Sequence, residues 1–374
     1  RRILKRESFL NLSRSSYLMS KISIMFVLSA IQTLLYILVG NAVLGIHGMW
    51  VDYWLVLFTT SCFANMLGLN ISASFNSAVT IYILIPFLII PQLLLSGVIV
   101  KFDKLNPNFA SHSTVPLAGE VMASRWAYEA LAVNQFKSNR YEQQFFELNK
   151  KKSQAEFKNN FWNGELKKRI DFASSNSANA TRKTDVEKDL KLVHAEIIDE
   201  LKLTGAKVPF KYAGDLVYEK FNEDIAVQTH AYLDLLRKYY QKQSNDAFDA
   251  VDKMNSQFSK TQELKNAFVK LKNEYTNESL LELVTNKNDI DKMTERGGRL
   301  IQRMDPIYIE PHHSLALRAQ FFAPEKPFFG MYLDTFWANM LVIWLMTLVL
   351  MVTLYYDVLR KVIDFFGELP ARFR

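Results

Sequence analysis

Apolar and polar positions follow two different patterns along this chain. Three stretches carry no charge at all: 25 residues between Lys21 and His47, 48 between Asp52 and Lys101, and 22 between Asp334 and Asp357. A bilayer core of about 30 Å needs roughly 20 apolar residues in helical form, because each backbone N–H and C=O must be satisfied without water. Ile22 to Leu44 predicts one span, and Thr335 to Tyr356 predicts the last. At ~1.5 Å per residue the 48-residue stretch would reach about 72 Å as a single helix, so it must turn back on itself. Its least apolar part, Asn70 to Ser77, is where the turn is expected. That leaves spans near Tyr53 to Leu69 and Ala78 to Val100, with Pro86 and Pro91 predicted to kink the second of them.

The region from Lys101 to Asp334 has a different periodicity. Val186, Leu190, Val193, Ile197 and Leu201 recur at spacings of three and four, the stripe of an amphipathic helix. Phe248, Val251, Met254 and Phe258 form a second stripe, continued by Phe268 and Leu271, and Tyr141 to Phe172 is a third helical stretch. Breaks are expected at Ser174 to Thr181, at Gly205 to Pro209 and at Gly297-Gly298. The pattern predicts a helical bundle that packs its own stripes.

Composition fits this division. Over 374 residues, 49% are hydrophobic and the net charge is +7, and a mean hydropathy near zero averages apolar spans against a charged insertion. A purely soluble protein is excluded. The insertion holds 35 basic and 33 acidic residues, while the other ten basic residues all flank the first and last spans. By the positive-inside rule both ends are cytoplasmic, and four spans return the chain to its starting side. The insertion and the loop around His47 to Asp52 then face outward, with Trp50, Tyr53 and Trp54 suited to an aromatic belt. The basic start Arg-Arg-Ile-Leu-Lys-Arg has a second reading, as a nucleic-acid or localisation patch. A span beginning about fifteen residues later weighs against it, and no nucleic-acid partner is expected.

Little in the chain carries chemistry. There is no Gly-rich phosphate loop with Lys and Ser/Thr, no His-Glu-x-x-His and no zinc-spaced Cys/His cluster. His312 and His313 are adjacent and would diverge on a helix. The single cysteine, Cys62, lies in a predicted span, leaving the insertion without a disulfide. Arg125 and Glu129 stand four apart and predict a helical ion pair, worth about a few tenths of a kcal/mol if exposed. No residue is a persuasive catalyst, so no enzymatic activity is expected of this chain.

Two segments resemble a known family. Arg6-Glu7-Ser8-Phe9, then Ser16-Tyr17-Leu18-Met19-Ser20-Lys21 before an apolar span, resembles the cytoplasmic coupling segment of G-type ABC transporter permeases, the ABC-2 class. Leu95-Ser96-Gly97-Val98-Ile99-Val100, followed by Ser124-Arg125-Trp126-Ala127-Tyr128-Glu129-Ala130-Leu131 and Asn134-Gln135-Phe136, resembles that family's end of span five and its re-entrant helices. The resemblance covers roughly residues 6 to 136, and the last span agrees by position only.

The resemblance implies a mainly α protein, with polytopic membrane helices and a large helical extracytoplasmic insertion. Its expected parts are a coupling helix (1–21), three spans (22–100), re-entrant helices (101–136), a periplasmic helical domain (137–334), a last span (335–356) and a cytoplasmic tail (357–374). The four spans would be the third to sixth of a six-span half, with an ABC ATPase domain upstream or on a partner. ATP and Mg2+ are expected on that domain and no cofactor on this chain. Arg6, Glu7 and Tyr17 would couple to the ATPase, two halves would form a homodimer in the bilayer, and Arg125, Tyr128, Glu129 and Asn134 would mark the re-entrant motif. Val98 and Ile99 match apolar plug positions, and Ile90 and Leu93 would line the cavity. All four also suit lipid-facing or helix-packing positions. Family members with compact, cysteine-linked outer loops differ from this cysteine-free insertion, which suggests a bacterial inner-membrane relative. The function implied is ATP-driven export of a hydrophobic or amphipathic substrate by alternating access. A different class stays open: mechanotransmission or surface assembly, in which membrane motion drives a periplasmic partner and nothing crosses the bilayer.

Overall fold

A computed structural model describes residues 13–75, 77–100, 102, 115–311 and 317–372, with side chains for all of these except 206 and 366–372. The chain is mainly helical and divides into two compact units. The first comprises Arg1–Asn139, His312–Phe321 and Glu325–Arg374, the second Arg140–Pro311 and Phe322–Pro324.

Among the described residues, three helices of the first unit are long and apolar enough to cross a membrane: α1 (Arg14–Leu44), α2 (Trp50–Ser74) and α12 (Thr335–Tyr355). A fourth apolar helix, α3 (Ala78–Leu94), has 17 residues, about 26 Å at ~1.5 Å each. The protein is a multi-pass membrane protein. α1 runs unbroken through Lys21, so the predicted coupling segment from Arg14 onward and the first span are one helix. α2 continues to Ser74, past the start of the turn expected from Asn70. Asn70 stays helical and buried because its side chain has helix-saving work to do, donating to Met66 O (2.9 Å) and to Leu350 O (2.8 Å) of α12. Such bonds hold helices together where lipid offers no hydrophobic drive. Ser29 of α1 plays the same part for α2, accepting from Ser61 (2.8 Å) and Asn65 Nδ2 (2.6 Å).

The third span ends earlier than expected. α3 continues through Pro86 and Pro91 but stops at Leu94, not Val100. Ser96 Oγ donates to Leu93 O (2.7 Å) and accepts from Val98 N (3.2 Å), and Gly97 takes φ +81°. A Cβ on Gly97 would lie 2.7 Å from Phe321 Cζ, so glycine is required there both by its dihedral and by the ring.

Helix direction follows from contacts within this unit. Arg14, at the start of α1, pairs with Asp357 just past α12 (2.6 Å). At the opposite end of α2 and α12, Val56, Phe336 and Met340 pack with Trp126 and Ala130 of α5 (Ala123–Lys137). Gln92, at the far end of α3, accepts from Ser124 Oγ through its carbonyl (2.6 Å). α3 therefore traverses the unit despite its length, and four traverses leave the beginning of α1 and the end of α12 at one end. Trp54 and Tyr53, expected as belt residues, also bond within the protein: Trp54 Nε1 donates to Ala30 O (3.1 Å) and Tyr53 Oη to Gln135 Oε1 (2.6 Å).

The second unit contains α6 (Phe146–Phe157), a π-helical turn Lys158–Trp162, α7 (Asn163–Asn176), α8 (Lys183–Thr204), α9 (Glu223–Phe258), α10 (Gln262–Tyr275) and α11 (Glu278–Thr285). The first predicted stripe is its core: Val186, Leu190, Val193 and Ile197 are fully buried, beside Trp162, Leu166, Ile170 and Leu233. The second stripe is not core. Phe248 is 55% exposed, and Phe258 instead stacks on Phe268 of α10 (4.7 Å). Inside the core, Glu196 accepts from Trp162 Nε1 (2.7 Å) and Leu300 N (3.0 Å), while Glu200 accepts from Lys158 Nζ (2.8 Å) and Tyr240 Oη.

Among the described residues, two hairpins stand within the insertion expected to be mostly helical. β1 (Met293–Arg296) pairs antiparallel with β2 (Arg299–Gln302) across Gly297-Gly298, both at positive φ. Two glycines there suit the tight turn, whose twist matches that of the strands. β3 (Glu325–Phe328) pairs with β4 (Met331–Asp334) in the first unit and leads directly into α12.

Candidate functional site

The most unusual chemistry of the first unit gathers on α5. Arg125 and Glu129, one helical turn apart, form the predicted ion pair at 3.4 Å, but both side chains are fully buried rather than exposed. Burial changes what the pair is worth, because each charge now needs compensation that solvent cannot supply. That compensation comes from three other places in the chain. Lys326 of β3, also fully buried, sets its Nζ 2.8 Å from Glu129 Oε2. Asn339, in the first turns of α12, donates to the same oxygen (2.9 Å) and to Trp126 O (3.0 Å). Glu120, at the end of the short helix α4 (Leu117–Glu120), lies 3.5 Å from Arg125, and Arg318 lies 3.8 Å from Glu120.

Aromatic faces complete the enclosure. The Arg125 guanidinium sits over the Trp126 ring at 3.8 Å, with Lys326 Nζ 5.0 Å from the same ring and Phe321 6.0 Å from Arg125. Trp126 Nε1 donates to Glu120 O (2.8 Å). Arg125 meets its carboxylates at ion-pair distances rather than in close hydrogen bonds, so the rings share in holding it.

Electrostatics sort the group. Burial pushes the Glu129 carboxyl up, but Lys326 and Arg125 beside it more than reverse this and hold it below the usual carboxylate range. Burial pulls the Lys326 ammonium down to about 8, against the opposing attraction of Glu129. Burial pushes Glu120 up. Glu129 is therefore the fixed anion on which the cluster is organised.

A second link brackets the same hairpin. Lys137, two turns further along α5, pairs with Asp334 at the end of β4 (2.6 Å), and Asp334 caps α12 by accepting from Phe336 N (2.9 Å). The hairpin that precedes the last span is thus clamped to α5 at both strands. The arrangement offers no nucleophile, and among the described residues no group of three or more His, Cys, Asp or Glu is placed to hold a metal ion. What it can do is fix α5, β3–β4 and the start of α12 as one piece.

The other predicted residues fall elsewhere. Tyr17 is half-buried on α1, with Lys21 Nζ 5.5 Å from its ring centre. Arg6, Glu7, His312 and His313 lie outside the described residues. Ile90 and Leu93 are exposed on α3, 53% and 51%, whereas Val98 and Ile99 lie in the turn after the helix rather than on it, and are also exposed. Tyr128 is half-buried with its ring 6.4 Å from Phe321. Asn134 is buried, and its carbonyl closes α5 by accepting from Ser138 N. Of the predicted motif, Arg125 and Glu129 meet at the cluster. Lys326 and Asn339 were not anticipated. Their only signals were a lysine inside the aromatic run Phe321 to Tyr332 and an asparagine inside an uncharged span.

Residues 1–136 match the ABC-2 type transporter family. This covers α1 to α3 and nearly all of α5, including Arg125 and Glu129, but only 136 of the 374 residues, and it supports a permease role in an ABC transporter for that part of the chain. No curated protein and no solved structure matches the chain.

Proposed function

We propose that this ABC-2 class permease exports a hydrophobic or amphipathic substrate by alternating access, driven by an ABC ATPase, as one half of a homodimer in a bacterial inner membrane. Both ends are cytoplasmic and the insertion is periplasmic. The observation that carries the topology is the Arg14–Asp357 contact, which joins the beginning of α1 to the end of α12, at the ends where the flanking basic residues cluster. ATP and Mg2+ bind on the ATPase, for which this chain has no phosphate loop.

This chain's part is coupling and passage. A push at Arg6, Glu7 and Tyr17 enters a helix of 31 residues, about 46 Å long at ~1.5 Å per residue. The Ser29–Ser61–Asn65 bonds carry it to α2. α3, tied to Ser124 through Gln92, with no buried residue and with two prolines inside it, is the element with most freedom to move, and Ile90 and Leu93 face the substrate path. In the assembled transporter, Glu7→Ala is expected to lose substrate-stimulated ATP hydrolysis; full stimulation would exclude the coupling role.

A second reading is favoured by the half-exposed stripe of α9, with Phe248 outermost: motion of the membrane helices drives a periplasmic partner. Phe248→Asp separates the two. Export at an unchanged rate supports transport alone, and loss of a periplasmic protein that the unsubstituted chain captures, without loss of assembly, supports transmission.

A further inference from the structure

We propose that the C-terminal helix α13 (Val358–Arg372) is an interfacial lipid-binding helix, lying in the headgroup region of the same bilayer that α12 crosses. It rests on α12 being a span and is independent of what the permease carries.

The chain leaves α12 at Tyr355 and begins α13 at Val358, with Asp357 in the left-handed region at φ 50°. So short a turn starts the new helix at the depth where the span ends. Asp357 is tied back to Arg14 (2.6 Å), and Arg14 also donates to Leu354 O (3.5 Å), so the corner is pinned at both of its sides.

The described side chains of α13 divide into three strips at 100° per residue. Leu359 and Ile363, one turn apart, are half-buried, and the helix packs on α2 and α12. Val358, Val362 and Phe365, at i, i+4 and i+7, form the neighbouring strip and are 39%, 44% and 56% exposed. Arg360, Lys361 and Asp364 occupy the rest, with Arg360 and Asp364 paired at 3.6 Å. The apolar arc is therefore only partly covered, with large parts of Val358, Val362 and Phe365 still exposed. The exposed strip adjoins the packing face and the end of an apolar span, and a lipid surface covers it by continuity, with two basic side chains suited to phosphate headgroups. A helix solvated on that side would leave the exposed apolar surface of that strip in water beside a bilayer able to take it.

The test uses the full chain in nanodiscs of phosphatidylcholine and phosphatidylglycerol. Cys62 is the only cysteine, so spin labels are placed singly in a Cys62→Ala background at Val362→Cys, Phe365→Cys, Lys361→Cys and Asp364→Cys. Collision with oxygen, which partitions into lipid, is compared with collision with a water-soluble nickel chelate. The expected result is a reversal of the oxygen-to-nickel ratio, high at 362 and 365 and low at 361 and 364. A low ratio at all four positions would mean a solvated tail and overturn the proposal. Little access to either reagent at 362 and 365 would mean a protein partner, such as a second copy, and overturn it equally. Val349→Cys, on an exposed face of α12, reports separately: a low ratio there would overturn the span itself.

Discussion

Lys326 Nζ lies 2.8 Å from Glu129 Oε2, with neither side chain reaching solvent. A strand that follows a long insertion is thereby fixed to a helix that precedes it, and through Asn339 to the last span. Replacing a buried ion pair by apolar groups of similar volume can be neutral, whereas removing one partner leaves a charge in a low-dielectric site at a cost of about 3–5 kcal/mol.

The first prediction follows from that asymmetry. Lys326→Met and Glu129→Leu should each lower the unfolding midpoint strongly, by the equivalent of about 3 kcal/mol or more, and the double variant should fall less than the sum of the two. Thermal unfolding of the detergent-solubilised chain, with a double-mutant cycle, measures this. Additive losses would show that the two groups do not depend on each other.

The same cluster shows how much could be read from the sequence. The spacing of Arg125 and Glu129 was legible because it is local, a matter of one helical turn. Its burial was not, because the groups that make it tolerable stand far along the chain and only folding brings them in. The spans were legible because uncharged runs of 25, 48 and 22 residues have one physical solution in a membrane. Their ends were less so: Ser96 and Gly97 close α3 by a local hydrogen-bond pattern that hydropathy does not register. The core stripe from Val186 to Ile197 was correct for the same reason that the Phe248 stripe misled. Periodicity identifies an apolar face but not whether anything covers it. Four-residue strands are too short for a period, and only Gly297-Gly298 marked one of the two hairpins, as a break.

Gly97 provides a second prediction. Gly97→Ala must place a β-carbon at φ +81° and 2.7 Å from the Phe321 ring. The dihedral strain alone is about 1–3 kcal/mol. A reduced melting midpoint is expected, and Phe321→Leu should relieve only part of it, because the dihedral strain remains. Full rescue would assign the whole cost to the ring.

A third concerns acid. Hydrogen bonds from Lys188 and Arg169, with their charges, hold Glu295 below the usual carboxylate range. For a carboxyl with a lowered folded value, the stability it contributes is present above its ordinary value near 4.5 and is lost as pH falls through the folded value. Denaturant midpoints of the second unit should therefore decline on acidification below about pH 4.5, and Glu295→Gln should make that decline shallower. Parallel declines in the two proteins would remove Glu295 from the account.

The claim that α3 lines a path opened alternately to each side is tested most directly by thiol accessibility at Ile90→Cys, in a Cys62→Ala background of the transporter assembled with its ATPase in sealed vesicles. Export by alternating access predicts that labelling by a membrane-impermeant reagent from the outer side changes between the ATP-bound and nucleotide-free states, with a lipid-facing control at Val349→Cys unchanged. Identical labelling of Ile90→Cys in both states would contradict it.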